Sequence, residues 1–377
     1  MLGLYIHIPF CVSKCNYCDF NSFKMDKIAK DKYLKDLKKE MELYSKDLKE
    51  DNYITSVFLG GGTPSILNSN ELKYIFENIN LYFNVKNDAE ITVECNPGTL
   101  TKEKLKTMKE IGINRLSIGL QAVQDYHLKS IGRIHTYDEF EKNYKDALEV
   151  GFKNINIDLM YALPNQTFED WKESLDKIVN LNPSHISAYS LILEEGTKLY
   201  DMYENNEFDV IDEDTDINMY NYTIDYLKSN GYNQYEISNY AKDRCECEHN
   251  ILYWKCDHYI GLGPGASGYI NDFRYNNVES LKEYHEKLSL NEKPIESKDN
   301  LTLDDKIQEK IFMGLRMNEG IKFKDFKEEF NINFKEKYSK EINKLKERKL
   351  INEDITGIRL TQSGREISNS IFIEFID

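Results

Sequence analysis

Cys11, Cys15 and Cys18 stand in the spacing C-x3-C-x2-C, directly after the apolar run Leu4-Tyr-Ile-His-Ile-Pro-Phe10. Three thiolates with no nearby fourth are too few for a structural zinc site, which takes four ligands and usually two CxxC pairs. They suit a cubane iron–sulfur cluster in which one iron lacks a protein ligand and is open to a small molecule. The same positions would share one face of a helix, but Pro9 and the strand-like run before it place them in a loop. Reactive, exposed thiols are costly to keep without a use, and Tyr17 beside Cys18 adds an aromatic wall.

Further polar groups follow at the ends of successive apolar segments. Gly60-Gly61-Gly62-Thr63-Pro64 gives a backbone able to pass close to a ligand. Glu94-Cys-Asn-Pro97, Gly119-Leu-Gln121, Gly132-Arg133 and Asn156-Ile-Asp158 each set a polar side chain at or just past a segment's carboxyl end. Glu94 and Asp158 accept from hydroxyl or ammonium groups, Gln121 donates and accepts, and Arg133 suits a carboxylate. Each alone reads equally as a surface or capping residue. In succession on the face where ligands bind, they are harder to dismiss and describe a ligand site. Cys95 reads as packing, not ligating.

The elements that must position them alternate. Strand-like segments at 4–8, 56–59, 90–94, 115–119, 154–159 and 185–191 are separated by amphipathic helical patterns at 30–48, 70–83, 102–111, 137–150 and 168–179. This βα alternation predicts parallel strands with helical crossovers, with ligands at the strands' carboxyl ends. A partial (β/α)6 barrel is the expected α/β fold, a doubly wound open sheet the competitor. Beyond it come a helix at about 212–230, a strand-like 234–238 and the glycine-rich turn 261–266 at the barrel's open end. The turn superficially matches a dinucleotide fingerprint, but it contains a proline and lacks the following long helix and acid. The expected domains are 1–275 (barrel with extra C-terminal strands), 276–300 (connector) and 301–377 (a small, α-rich, winged-helix-like module). That module's mixed charge suggests a cap or partner surface rather than a DNA reader.

The chain has 377 residues, 40% hydrophobic and 30% charged, which describes a globular protein. A formal charge of −16 argues against nucleic acid and anionic membrane surfaces as partners. No stretch approaches the roughly 18 apolar residues of a membrane span, and no signal-peptide pattern precedes Cys11. Seven clustered cysteines fit a cytoplasmic protein with an oxygen-sensitive cofactor better than a secreted disulfide scaffold.

The cysteine spacing, with an aromatic residue before the last cysteine, resembles the radical S-adenosylmethionine (SAM) superfamily. That resemblance implies a [4Fe–4S] cluster on Cys11, Cys15 and Cys18, SAM on its open iron, and reductive cleavage of SAM to a 5′-deoxyadenosyl radical. Together with Arg115-Leu-Ser-Ile-Gly-Leu-Gln121, Gly132-Arg-Ile-His135, Ser187-Ala-Tyr189 and Tyr235-Glu-Ile-Ser-Asn239, the motifs look like the oxygen-independent coproporphyrinogen III oxidase group over nearly the whole chain. By this resemblance Tyr5, Gly61, Gly62, Thr63, Glu94, Gln121, Arg133 and Asp158 are expected to touch SAM.

Two branches of that group differ in what they do. The oxidases carry another cysteine two residues after the third cluster cysteine and a long N-terminal extension. Here Phe20 holds that position, and only ten residues precede Cys11. The resemblance therefore points to the HemW-like haem chaperone branch, which shares the motif His249-Asn-Ile-Leu-Tyr253 followed by Trp254. An imidazole there suits haem iron, and a phenol and indole suit a porphyrin face. A buried, hydrogen-bonded histidine is the plainer reading of the same residue. Cys247 is a possible helper ligand, and Cys245, Cys247, His249, Cys256 and His258 form a poorly spaced alternative zinc set.

The function implied is a chaperone that binds the cluster, SAM and haem and delivers haem to haem-accepting proteins. No catalytic residue is assigned to it. A reducing electron donor such as flavodoxin or ferredoxin, and peripheral contact with membrane-bound haem proteins, would accompany it. The alternative is an enzyme of the coproporphyrinogen dehydrogenase type, making protoporphyrinogen IX by radical oxidative decarboxylation.

Overall fold

The apolar segments lie side by side in a single twelve-stranded sheet of a computed structural model that describes residues 2–49 and 51–375. Its strands are β1 (Leu2–Ile8), β2 (Tyr53–Gly61), β3 (Asn84–Cys95), β4 (Arg115–Gln121), β5 (Asn154–Tyr161), β6 (His185–Ser190), β7 (Asn233–Gln234), β8 (Asn239–Ala241), β9 (His258–Leu262), β10 (Ser267–Ile270), β11 (Phe273–Asn277) and β12 (Ile295–Asn300). The order across the sheet is β12-β11-β10-β9-β1-β2-β3-β4-β5-β6-β8-β7. From β9 to β6 the seven neighbours run parallel, with Leu4 opposite Val57 on one side and Ile260 on the other. The end strands β12 and β7 are not neighbours, so the barrel is partial and open.

The crossover helices are α1 (Lys27–Ser45), α2 (Ser69–Tyr82), α3 (Lys102–Glu110), α4 (Tyr137–Val150) and α5 (Phe168–Leu181). Local chemistry fixes where three of them start. Asn68 with Glu71, Thr136 with Glu139 and Thr167 with Asp170 form reciprocal capping boxes. Strand β4 is buried at every position because both of its faces are covered. Leu116, Ile118 and Leu120 belong to the apolar core, while Arg115, Ser117, Gly119 and Gln121 line an internal cavity. That two-residue period sends polar groups into the barrel.

The helix α6 (Glu213–Ser229) packs outside, and the short α7 (Glu248–Trp254) plugs the end of the barrel where the parallel strands begin. A Cβ on Gly3, early in β1, would lie 3.1 Å from Leu252 and 3.2 Å from His249. Buried Glu90 accepts from the backbone N–H groups of Glu248 and His249, each at 3.2 Å, and so satisfies the N-terminus of α7.

Two sequence expectations change. Residues 276–300 are not a connector: they hold α8 (Leu281–Ser289) and β12, which pairs antiparallel with β11. Most of β12 is exposed and polar, as an edge strand that must not recruit another chain should be, and its composition is that of a linker. Of the strand-like 234–238 only Gln234 lies in a strand, and 235–238 form the turn that joins β7 to β8.

The C-terminal module begins with α9 (Leu303–Arg316). One strand, three helices, a two-strand hairpin and two short helices follow, and the three strands form a sheet ordered Ile321–Lys322, Gly357–Leu360, Ile351–Glu353. The module has its own apolar core, including Ile311, Leu315, Phe326, Phe334 and Leu345. This is the winged-helix-like arrangement expected. Arg274 of β11 pairs with Glu309 of α9, and Lys310 donates to the Lys255 carbonyl at 3.0 Å, joining module to barrel.

Candidate functional site

The cysteine loop is closed at its base and braced from two sides. Phe10 and Cys11 pair with Phe23 and Lys24 as a short parallel ladder. Asn16 binds the Ile131 carbonyl through its backbone N–H at 2.9 Å and the Ser130 carbonyl through its amide at 3.0 Å. The glycine turn after β2 crosses the same strand end. Gly62 N–H donates to Ile8 O at 2.8 Å, and Thr63 N–H to Phe10 O at 2.9 Å. A Cβ at Gly62 would sit 2.7 Å from Phe10 O, so the close approach requires glycine. Gly61, at φ 104°, could not carry a Cβ either, since one would lie 2.5 Å from the His7 ring.

Cys11, Cys15 and Cys18 line one cavity of about 480 Å³ together with Gly61, Gly62, Thr63, Glu94, Gln121, Arg133 and Asp158. Ten of the residues singled out from sequence thus share one space. Thr63 Oγ1 lies 3.4 Å from Cys11 Sγ, and Arg133 Nη1 lies 3.5 Å from Cys15 Sγ. Burial pushes the Cys11 thiol up and the Cys18 thiol up to about 11, so a cluster would displace protons as it forms.

The SAM-type groups are held from behind. Ser117 Oγ donates to Asp158 Oδ2 at 3.1 Å, while Asn156 Nδ2 and Tyr189 OH donate to Oδ1 at 2.7 and 2.9 Å. Glu94 accepts from Gly61 N–H at 3.1 Å. Burial and, to a lesser degree, Asp158 raise the Glu94 carboxyl to about 8 against that hydrogen bond. Three buried polar atoms of residues that line this cavity have no partner: Arg115 Nε, Gln121 Oε1 and Arg133 Nε. Buried polar atoms are nearly always satisfied, so these atoms fit a polar ligand. Three thiols beside them fit a cluster with an open iron, and Glu94 and Asp158 fit an ammonium and hydroxyls.

The structure places two expected residues elsewhere. Tyr5 donates to or accepts from His7 Nδ1 at 3.0 Å and lines a second cavity, beyond Gly61 and Glu94. His249 is 1% exposed, and both ring nitrogens are engaged: Nδ1 with Ser56 Oγ at 2.8 Å and Nε2 with Tyr253 OH at 2.9 Å. It stacks on Phe58 at 5.2 Å between ring centroids. Burial, with a smaller push from Arg115, lowers its basicity to about 3. The imidazole is a neutral core group of the plug helix, with no nitrogen free for iron in this conformation. Nor does the alternative zinc set assemble. Cys247 Sγ lies 3.4 Å from Glu90 Oε1, and no three His, Cys, Asp or Glu side chains among the described residues converge on a single-ion site.

Sequence reasoning missed the supporting residues. Asn96 donates to Thr63 Oγ1 and accepts from Arg133 Nη2, each at 3.0 Å. Arg115, 2% exposed, lines the cavity with Nε unpartnered and 3.9 Å from Glu90. Their signal was phase: Arg115, Ser117 and Asn156 stand two or four residues before Gly119 and Asp158 on the same strand faces.

Residues 5–178 match the radical SAM superfamily model, and residues 301–367 match the HemN C-terminal domain. The heme chaperone HemW of Bacillus subtilis (strain 168) is 35% identical over 378 residues, covering 100% of this chain and 99% of the relative. Heme chaperone HemW of Escherichia coli (strain K12) is 34% identical over 309 residues, covering 81% and 80%. Among solved structures, coproporphyrinogen III oxidase (HemN) from Escherichia coli superposes with a TM-score of 0.87 at 24% identity, over 99% of this chain and 89% of that one. At that identity the likeness is one of fold.

Proposed function

The chain belongs to the HemW family of the radical SAM superfamily, and we propose that it works as a haem chaperone. In this reading Cys11, Cys15 and Cys18 hold a [4Fe–4S] cluster. SAM occupies the cavity of about 480 Å³, and bound haem is passed to haem-accepting proteins. The observation that carries it is similarity to named haem chaperones along the whole length of both chains. Phe20 supports it, because it stands where the oxidase branch has a cysteine.

Bound together, the cluster and SAM supply one-electron reduction and a sulfonium substrate for it. The chain's own residues do the holding. Arg133 offers a guanidinium to a carboxylate, Glu94 and Asp158 accept from ammonium and hydroxyl groups, and Gln121 has an acceptor oxygen to spare. A flavodoxin- or ferredoxin-like electron donor, peripheral contact with membrane-bound haem proteins and a cytoplasmic location belong to the same proposal. Among the described residues, no helix is long and apolar enough to cross a membrane.

The test is an anaerobic titration of the cluster-reconstituted chain with hemin, run beside an assay with coproporphyrinogen III, SAM and reductant. Stoichiometric haem binding without carbon dioxide release is the expected result. Release of carbon dioxide with formation of protoporphyrinogen IX would replace the chaperone with the oxidase.

A further inference from the structure

Cys11 and Cys15 each have a side-chain donor on their sulfur. Thr63 Oγ1 donates to Cys11 Sγ at 3.4 Å, and Arg133 Nη1 to Cys15 Sγ at 3.5 Å. The two donors come from different parts of the barrel, Thr63 from the turn after β2 and Arg133 from beyond β4. Asn96, just past β3, joins them. Its Nδ2 lies 3.0 Å from Thr63 Oγ1, and its Oδ1 lies 3.0 Å from Arg133 Nη2. We infer that Asn96 is a positioning residue of the cluster site, which turns the Thr63 hydroxyl onto the Cys11 sulfur and so raises the cluster's reduction potential. This rests on the reading that Cys11, Cys15 and Cys18 hold a [4Fe–4S] cluster.

The direction of each hydrogen bond follows from what the groups can give. A guanidinium only donates, so the Asn96 oxygen must face Arg133 and its amide N–H groups must face Thr63. The other hydrogen on Arg133 Nη2 goes to the Gly119 carbonyl, so neither is left over. Thr63 Oγ1 therefore accepts from Asn96, and its single proton must point elsewhere. At 3% exposure Thr63 has no bulk solvent to turn to, and Cys11 Sγ is the acceptor within reach. The arginine thus sets the direction of a proton two residues away, and bonds in such a chain polarise one another.

Asn96 is pinned at its own backbone. Its N–H donates to Ser65 Oγ at 3.0 Å, and its carbonyl accepts from Thr99 Oγ1 at 2.6 Å. The side chain therefore starts from a fixed point between the two donors. Hydrogen bonds to ligating sulfurs are among the factors that set a cluster's potential. A donor on such a sulfur favours the more negative, reduced state. Freeing the Thr63 hydroxyl from Asn96 lets it turn from Cys11, and the potential falls.

Redox titrations of the reconstituted full chain without SAM, followed by electron paramagnetic resonance, test this. They compare the parent, Asn96→Ala, Thr63→Val and the double variant, after iron and sulfide have been measured in each. Both single variants should move the midpoint to lower potential. Asn96→Ala should move it less than half as far on the Thr63→Val background, because its effect passes through the hydroxyl. Asn96→Asp replaces the alanine variant in the cycle if that variant holds no cluster. It keeps the size and an acceptor for Arg133 but has no N–H to give. An unchanged potential in the single Asn96 variant, or an equal shift with and without the Thr63 hydroxyl, would overturn the inference. So would loss of the cluster from both Asn96 variants, which would make Asn96 a brace for the loop. A parent chain that takes up no cluster would overturn the cluster reading itself, and this inference with it.

Discussion

Arg133 joins the cluster loop to the end of β4. Its Nη1 lies 3.5 Å from Cys15 Sγ, while its Nη2 donates to the Gly119 carbonyl and, at 3.0 Å, to Asn96 Oδ1. One planar fork spans both, and its buried Nε is left over. A lysine ammonium is a point charge and cannot reproduce that span. Arg133→Lys should therefore still assemble a cluster but bind SAM about tenfold more weakly or worse, a loss of roughly 1.4 kcal/mol or more. Calorimetric titration of the reconstituted variant measures this, and parental affinity would remove Arg133 from the ligand's partners.

The glycine turn makes a steric prediction. Gly62→Ala places a Cβ 2.7 Å from Phe10 O and 2.8 Å from Ile8 O, both backbone atoms that cannot swing aside. The strand leading to Cys11 must shift, so iron and sulfide content after reconstitution should fall well below the parent's. Far-ultraviolet circular dichroism should stay close to the parent's. Full cluster content would show that the close approach does not govern the loop.

Glu94 gives the protein a pH dependence. Its ordinary value of 4.5 is raised to about 8 in the fold. A raised carboxyl contributes stability that is fully present below about 4.5 and is lost as pH rises through about 8. Glu94→Gln lacks this loss. The variant's stability relative to the parent should rise with pH across that window, by at most about 1.4 kcal/mol per pH unit. Urea denaturation of the cluster-free chain at several pH values checks it. A constant difference would contradict a buried, neutral Glu94.

Much of this site was legible in the sequence because it is written in short motifs with fixed phase. Three cysteines in one loop, the triple glycine and polar residues at strand ends put Cys11, Gly62, Glu94, Gln121, Arg133 and Asp158 into one cavity. The parallel order followed from βα alternation. What was not legible depended on residues distant in sequence. His249 is held from a distance by Ser56 and Phe58, and no spacing rule brings β2 and α7 together. β12 was hidden by its polar edge character. Tyr5 faces the second cavity because Gly61 and Glu94 stand between it and the cysteines, a layering that one strand's pattern cannot reveal.

His249 supplies a prediction that separates structure from iron chemistry. Removing one partner of a buried hydrogen bond leaves the other unsatisfied, at about 1–3 kcal/mol. His249→Gln should lower the melting temperature by several degrees yet leave the absorption spectrum of bound haem unchanged. A spectrum that changes its ligand signature, with stability intact, would return the imidazole to the iron.

A chain that carries haem rather than making its precursor must give haem up to an acceptor. The most direct measurement is transfer: the cluster-reconstituted chain, loaded with one equivalent of hemin under anaerobic conditions with SAM and reductant, is mixed with an apo-haem protein and the acceptor's spectrum is followed. Haem should leave the chain and appear in the acceptor faster than free hemin loads it, while coproporphyrinogen III in a parallel reaction is untouched. Decarboxylation of coproporphyrinogen III, together with no haem transfer above the free-hemin rate, would contradict it.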